Sequence, residues 1–255
     1  MPLTAAAHRR ARRLFRLPEQ PPQSAEGIPC SLCAQECRMA EGERGYCNLR
    51  ENRGGRMAML AGGPDAGILH WYYDPLPTNC VAMDVCGERG TSGRDNLAVF
   101  YGACALNCLF CQNWHYMENA AALRPRVSAA ELADAATARV ACVCFFGGDP
   151  APQVPHALAV SRLVGRRGRV RICWETSGTM HPASLRRAVD VSLASGGTVK
   201  FDLNAHSEAL HIALTGMDNL PTTSRAHAQR CLDAARDAGL RRVALGNVHL
   251  LGDLY

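Results

Sequence analysis

From residue 94 onward the chain alternates between short apolar runs and amphipathic stretches, and that alternation constrains the fold more than any other feature. Runs at 97–101, 140–146, 170–175, 198–203 and 242–248 read as strands from their β-branched and aromatic content. Stretches 128–139, 154–164, 182–194, 205–215 and 223–238 read as helices between them. Ser128 followed by Glu131 has the spacing of a capping box. Ser207 with Glu208 supplies a cap and a first-turn acid. Strict alternation predicts a parallel sheet with helices packed outside it. Ligands in such α/β folds collect at the carboxyl ends of the strands, so functional side chains belong there.

Four strand ends carry chemistry. The first strand runs into Cys104, Cys108 and Cys111, a C-x3-C-x2-C spacing with no fourth cysteine in the same cluster. Closely spaced thiols on one loop suit an iron–sulfur cluster, which ordinarily takes four. Three would leave one iron open to a small molecule. A zinc site with a distant fourth ligand also accommodates the last two cysteines. The second strand ends in Gly147-Gly148-Asp149-Pro150, where glycines let the backbone approach a ligand that a side chain would exclude. The third ends in Glu175-Thr176-Ser177-Gly178 and the fourth in Asp202-Leu203-Asn204. Asp202 also reads as a simple cap or strand-end hydrogen bond. His249 ends the last strand, as a ligand contact or as an ordinary structural histidine.

The triplet, with Phe110 just before its third cysteine, resembles the radical S-adenosylmethionine (SAM) enzymes. Gly147-Gly148-Asp149-Pro150 resembles that superfamily's Gly-Gly-Glu-Pro motif, with Asp149 in place of the usual Glu. Glu175-Thr-Ser-Gly178, Asp202-Leu-Asn204 and Leu214-Thr-Gly216 are similar to runs in the activating enzymes of glycyl-radical proteins, such as pyruvate formate-lyase. Asn204 stands where those relatives carry a lysine, and Lys200, the chain's single lysine, lies about 13 Å away along the strand. The resemblance implies a partial (β/α)6 barrel. Only five strands read clearly, so either the barrel is short or a sixth lies in residues without a strand signature.

By the same resemblance, Cys104, Cys108 and Cys111 hold a [4Fe–4S] cluster and the open iron binds SAM. Phe110 and Asn113 would line the adenine end, and Gly147, Gly148 and Asp149 the amino group. Glu175, Ser177, Asp202 and Asn204 would address the ribose or carboxylate. The reduced cluster would cleave SAM to methionine and a 5′-deoxyadenosyl radical, which takes a hydrogen atom from substrate. An electron donor such as flavodoxin or ferredoxin is implied. The substrate would be a glycine of a partner protein or another protein or small molecule.

Ahead of this core, Cys30, Cys33, Cys37 and Cys47 fall within a short polar, Gly-containing stretch. A closed four-thiolate site, zinc or a second cluster, would order a segment too small for its own core. This leader and Arg50-Glu-Asn-Arg-Gly54 resemble segments preceding the core in relatives of the activating enzymes. The domains expected are a basic, disordered tail at 1–27, a cysteine-rich module at 28–55, an ordered bridging loop at 56–96 and the radical SAM core at 97–255. Within the bridge, His70, Cys80 and Cys86 would shield the cluster, bind substrate, or simply pack. Thirteen cysteines in metal-like spacings imply a reducing, cytoplasmic setting. No apolar stretch approaches the roughly 20 residues of a membrane span. Formal charge is +5, with arginines scattered rather than massed, which argues against a nucleic-acid surface. Two other readings are a non-catalytic zinc or nucleic-acid-binding module, and an iron–sulfur electron-transfer protein.

Overall fold

The computed structural model describes residues 2–168, 170–202, 204–205, 207–217 and isolated positions between 229 and 239. The expected strand at 242–248, His249 and nearly all of the expected helix at 223–238 lie outside the described residues. In chain order the first elements are α1 (Pro2–Leu14), the two-residue strands β1 (Ile28–Pro29) and β2 (Arg38–Met39), and the hairpin β3 (Arg50–Arg53) and β4 (Arg56–Met59). Next come β5 (Ala66–Pro75), β6 (Asp95–Tyr101), α2 (Tyr116–Ala122), β7 (Arg126–Ser128) and α3 (Ala129–Asp134). The remainder is β8 (Val140–Gly147), α4 (Val154–Gly165), β9 (Arg171–Thr176), α5 (Pro182–Ser195), β10 (Val199–Phe201) and α6 (Glu208–Thr215).

One sheet of six strands, in the order β10-β9-β8-β6-β5-β7, organises the molecule. β6, β8, β9 and β10 are mutually parallel, as the alternation predicts. β8 sits between two parallel neighbours and is covered on both faces, which is why Val-Ala-Cys-Val-Cys-Phe-Phe reads as a continuous apolar run. Its Val143 and Phe145 join Ile172, Trp174 and Tyr101 in the core beneath α4 and α5. Cys142, Cys144 and Phe146 alternate onto the opposite face. Each large apolar side chain fully buried in that core stabilises the fold by about 1.5–3 kcal/mol. The capping signatures hold: Ser128 Oγ accepts from Glu131 N at 3.0 Å, and Ser207 Oγ from Leu210 N at 3.3 Å.

Two expectations need correction. The 56–96 stretch is no bridging loop throughout, because β5 pairs antiparallel with β6 from Leu69↔Tyr101 to Pro75↔Asp95 and makes the sheet mixed. Its His-Trp-Tyr-Tyr run has the aromatic content of a strand, and Pro75 and Pro77 mark its end rather than a loop. Nor is the basic N-terminus a disordered tail. It forms α1, whose His8 and Arg12, four residues apart and so on one helix face, are both buried. The ring nitrogens of His8 stand 2.8 Å from Asn107 O and 3.0 Å from Ala213 O. The Arg12 guanidinium donates to the carbonyls of Pro18 and Tyr46 and lies 3.5 Å over the Tyr46 ring. Among the described residues no helix is long and apolar enough to cross a membrane.

On α4, His156 is wholly buried, its Nδ1 2.9 Å from the Tyr101 hydroxyl, and burial lowers its pKa to about 4 from 6.5. A histidine kept neutral in the fold contributes stability that is whole above pH 6.5 and lost as pH falls toward 4, because only the unfolded chain takes up the proton. Between pH 7 and 5 that loss amounts to about 2 kcal/mol. The unfolding free energy from urea titration should fall less steeply between the two pH values in His156→Gln, by about that amount. Parallel pH dependence in the two proteins would refute the assignment.

Candidate functional site

The carboxyl ends of β6, β8, β9 and β10 face one region, and the cysteine loop leaves the first of them. That loop is braced at three successive carbonyls by three separate elements. Gln35 Nε2 donates to Ala105 O at 2.6 Å, the Tyr116 hydroxyl to Leu106 O at 2.9 Å, and His8 Nδ1 lies against Asn107 O. Asn107 N and Leu109 N donate to Thr215 O and Leu214 O, each at 2.9 Å. The Leu-Thr-Gly run at the end of α6 therefore clamps the loop. Its turn needs Gly216, whose φ is +73°.

Cys104 is buried, while Cys108 and Cys111 are half-buried. Burial pushes the Cys104 thiol well up, and the Asp149 carboxylate and the neighbouring thiols of Cys108 and Cys111 push it further. Burial and then Cys111 drive Cys108 up to about 12. Asp149 and Asp202 both act on Cys108, so the tips of β8 and β10 and the loop share one electrostatic neighbourhood. Among the described residues no group of three or more His, Cys, Asp or Glu side chains is drawn in as the shell of a single metal ion. A multi-iron cluster offers each thiol its own iron, so three thiols spaced apart on one loop are a donor set that fits it. Loading would displace protons that burial otherwise retains.

The Gly-Gly-Asp turn is sewn to the backbone just ahead of Cys104. Gly148 N donates to Tyr101 O and Asp149 N to Ala103 O, both at 2.8 Å. A Cβ on Gly148 would stand 2.3 Å from Ala103 O, and Gly147 adopts φ +105°. Glycine is required at both positions, the first by proximity and the second by conformation. The Asp149 side chain is a latch between two strand tips. Its buried carboxylate accepts from Ala151 N at 2.7 Å, Ser177 N at 2.7 Å, Ser177 Oγ at 2.6 Å and Thr176 Oγ1 at 3.1 Å. Burial raises its pKa, and those donors oppose the rise. The Ser177 hydroxyl is committed to the same latch. Thr176, named with Glu175 and Ser177 at this strand tip, is wholly buried and belongs to the latch.

At the next tips a cation stands between two acids. Lys200 Nζ lies 2.7 Å from Asp202 Oδ1 and 3.8 Å from Glu175 Oε2. Burial alone would lower the Lys200 pKa, but the Asp202 carboxylate outweighs it and the net direction is upward. Burial raises Glu175, and Lys200 opposes that rise. Asn204 Nδ2 lies 3.5 Å from the Asp202 carbonyl. Phe110 and Asn113 are exposed at the outer end of the cysteine loop, with Leu109 and Trp114 beside them.

The leader packs against the segment after β9. Ala34 N donates to Thr179 O at 2.7 Å and His181 N to Leu32 O at 3.0 Å. Cys30 N donates to Cys37 O at 2.8 Å, and burial raises the thiols of Cys33 and Cys37, to about 12 for the latter. Cys30, Cys37 and Cys47 all bear on Cys33. Buried Arg50 donates to Cys47 Sγ at 3.6 Å and to Pro152 O at 2.6 Å, fixing the leader to the turn after β8.

Gly148→Ala should force Ala103 and the cysteine loop apart, costing about 1–3 kcal/mol. Iron incorporation should fall with it. Wild-type urea stability and iron content in this variant would show that the close approach does not position the loop.

An 87-residue segment, 34% of this chain, is 31% identical to an uncharacterized protein of Methanocaldococcus jannaschii. The chain spans only 23% of that protein's length. Residues 98–254 match the Radical SAM superfamily. The match takes in the cysteine loop, the Gly-Gly-Asp turn and both acidic strand tips, and the chain belongs to that superfamily.

Proposed function

We propose that this chain is a SAM-cleaving enzyme whose Cys104, Cys108 and Cys111 hold a [4Fe–4S] cluster and whose β8, β9 and β10 tips hold SAM. The observation that carries this reading is the convergence of a three-thiol loop with the glycine turn and two acidic strand ends at one edge of a parallel sheet. Such a cluster, when reduced, supplies the electron that splits SAM into methionine and a radical able to remove hydrogen from a substrate.

The protein's own contribution is positional and electrostatic. Gly147 and Gly148 hold the SAM amino end against the cysteine loop, and Asp149 keeps the β8 and β9 tips together without touching the ligand. Glu175 and Asp202 face the ribose and carboxylate, and Lys200 balances their charge. Phe110 and Asn113 bound the adenine end. The exposed Leu109 and Trp114 form the docking face for an electron donor such as a flavodoxin or ferredoxin. The leader's Cys30, Cys33, Cys37 and Cys47 hold zinc as a structural site; their mutual repulsion as thiolates is what a dication would relieve, and the adjacent Arg50 charge favours the thiolate at Cys30. For the substrate, the Glu-Thr-Ser-Gly and Leu-Thr-Gly runs support a glycine in a partner protein.

The test is anaerobic reconstitution, reduction with dithionite in the presence of SAM, and assay for 5′-deoxyadenosine. Production should be abolished in Cys108→Ala and kept, with reduced stability, in Cys33→Ala. Abolition by Cys33→Ala alone would show that the two cysteine groups are assigned the wrong way round. A brown protein indifferent to SAM would favour electron transfer, and a colourless zinc protein would end the enzymatic reading. With protein extract from cells grown on α-deuterated glycine, deuterium should appear in 5′-deoxyadenosine; its absence would remove the glycine target.

A further inference from the structure

Helix α1 carries a charge pattern that the site above leaves unexplained. Residues 1–18 hold five arginines and no acid, a positive charge equal to the chain's whole formal net of +5. Two of the five are committed within the fold. Arg12 is buried over the Tyr46 ring, and Arg13 donates to both Glu19 carboxylate oxygens at 2.7 Å. Arg9, Arg10 and Arg16 make no ion pair among the described residues; Arg10 and Arg16 are exposed and Arg9 is half-exposed. Cations in the last turn of a helix are favoured by its dipole, which accounts for Arg12 and Arg13 but not for Arg9 and Arg10, a turn earlier. Ala6, Arg9, Arg10, Arg13 and Leu14 recur at helical spacing and line one open surface, opposite the His8–Arg12 face that packs inward.

That surface is not purely charged. Leu14 is 73% exposed. Phe15, next in the chain, packs against Trp114 with ring centroids 6.1 Å apart, and Trp114 is itself half-exposed at the end of the cysteine loop. A solvated charge run has no reason to keep an exposed leucine and tryptophan beside it, whereas arginines around a small apolar centre are the composition of a protein interface. A helix that lies in a membrane needs a broad apolar face, and three of the five side chains on this surface are arginines. Position then selects among acidic partners. The inward face of α1 is bonded to the cysteine loop: His8 Nδ1 lies 2.8 Å from Asn107 O, and Asn107 Nδ2 donates to the His8 carbonyl at 2.9 Å. Asn107 directly precedes Cys108, and Leu109 and Trp114 flank Cys111. A macromolecule seated on the outer face of α1 is one helix diameter, about 10 Å, from that loop. A nucleic acid gains nothing from such closeness; a partner that exchanges electrons does.

We propose that the arginine face of α1, with Leu14 and Trp114 beside it, is the docking surface for an acidic, electron-carrying protein that reduces the centre held by Cys104, Cys108 and Cys111. This role rests on the reading of that loop as a cluster site. Carboxylates of the partner meet Arg9 and Arg10, which steers encounter, while the apolar side chains fix the seat. In the transfer the donor is oxidised by one electron and the cluster reduced by one, with no bond made or broken.

The full-length chain, reconstituted without oxygen, would be titrated with an acidic flavodoxin and its amide hydrogen exchange measured with and without that probe. Protection of α1 and of residues 109–114, with affinity falling at least about tenfold between low salt and about 0.5 M, supports the surface. Arg9→Glu/Arg10→Glu should weaken binding at low salt by about tenfold or more, chiefly through association rate, and Arg9→Gln/Arg10→Gln by less. Absence of binding by wild type, binding that leaves α1 unprotected, or equal affinity in wild type and the Glu pair overturns the proposal. So does protection of α1 by a short DNA duplex or an anionic vesicle where flavodoxin gives none. The footprint and the salt series need no variant, so a Glu pair that fails to fold leaves the test standing. Dithionite reduction of the wild-type cluster is read separately: its failure removes the SAM reading, whereas an unprotected α1 removes only the docking surface.

Discussion

The contact between Gly148 and Ala103 is the point on which the site depends. A missing side chain lets the end of β8 lie against the backbone that leads into Cys104, and two amide hydrogen bonds hold it there. Without that approach the cysteine loop and the turn would belong to separate strand ends, each mobile on its own. With it, the loop is held against an interior strand of the sheet that is covered on both faces.

Around this contact the chain spends its polar groups on holding the loop. Carbonyls 105, 106 and 107 are each met by a side chain from a different part of the sequence: the leader, α2 and α1. Asp149 joins two strand tips through four donors, so its carboxylate is consumed by structure while the tip beyond it keeps Glu175, Lys200 and Asp202 for charge. A cluster site must place thiols to within a fraction of an ångström. Bracing from outside is how an irregular loop reaches that accuracy, since it has no ladder of its own.

Much of this architecture was legible. β6, β8 and β9 and helices α4 and α5 sit within a residue or two of their expected bounds, because long runs with one period leave little choice. β5 was misread because its prolines looked like loop chemistry, yet they only close a strand whose aromatic run pairs with β6. α1 was misread because five arginines in a short stretch suggest repulsion and disorder. Tertiary partners for His8 and Arg12 overrode that: the carbonyls of Asn107 in the cysteine loop and Ala213 in α6, and the ring of Tyr46. A strand-tip motif alone gives no sign that the amide and hydroxyl of Ser177 and the hydroxyl of Thr176 would claim the Asp149 carboxylate.

By itself the sequence determined the parallel core, the three-thiol loop and the polar strand tips, since periodicity and local spacing are properties of neighbouring residues. The tertiary structure alone decided which groups are free. It committed Asp149 and Ser177 to each other, turned Lys200 toward two acids, and packed Cys80, Cys142 and Cys173 together from three segments. Those outcomes depend on which face each strand presents and on what packs across it, and contacts between residues distant in the chain leave no periodic trace in it.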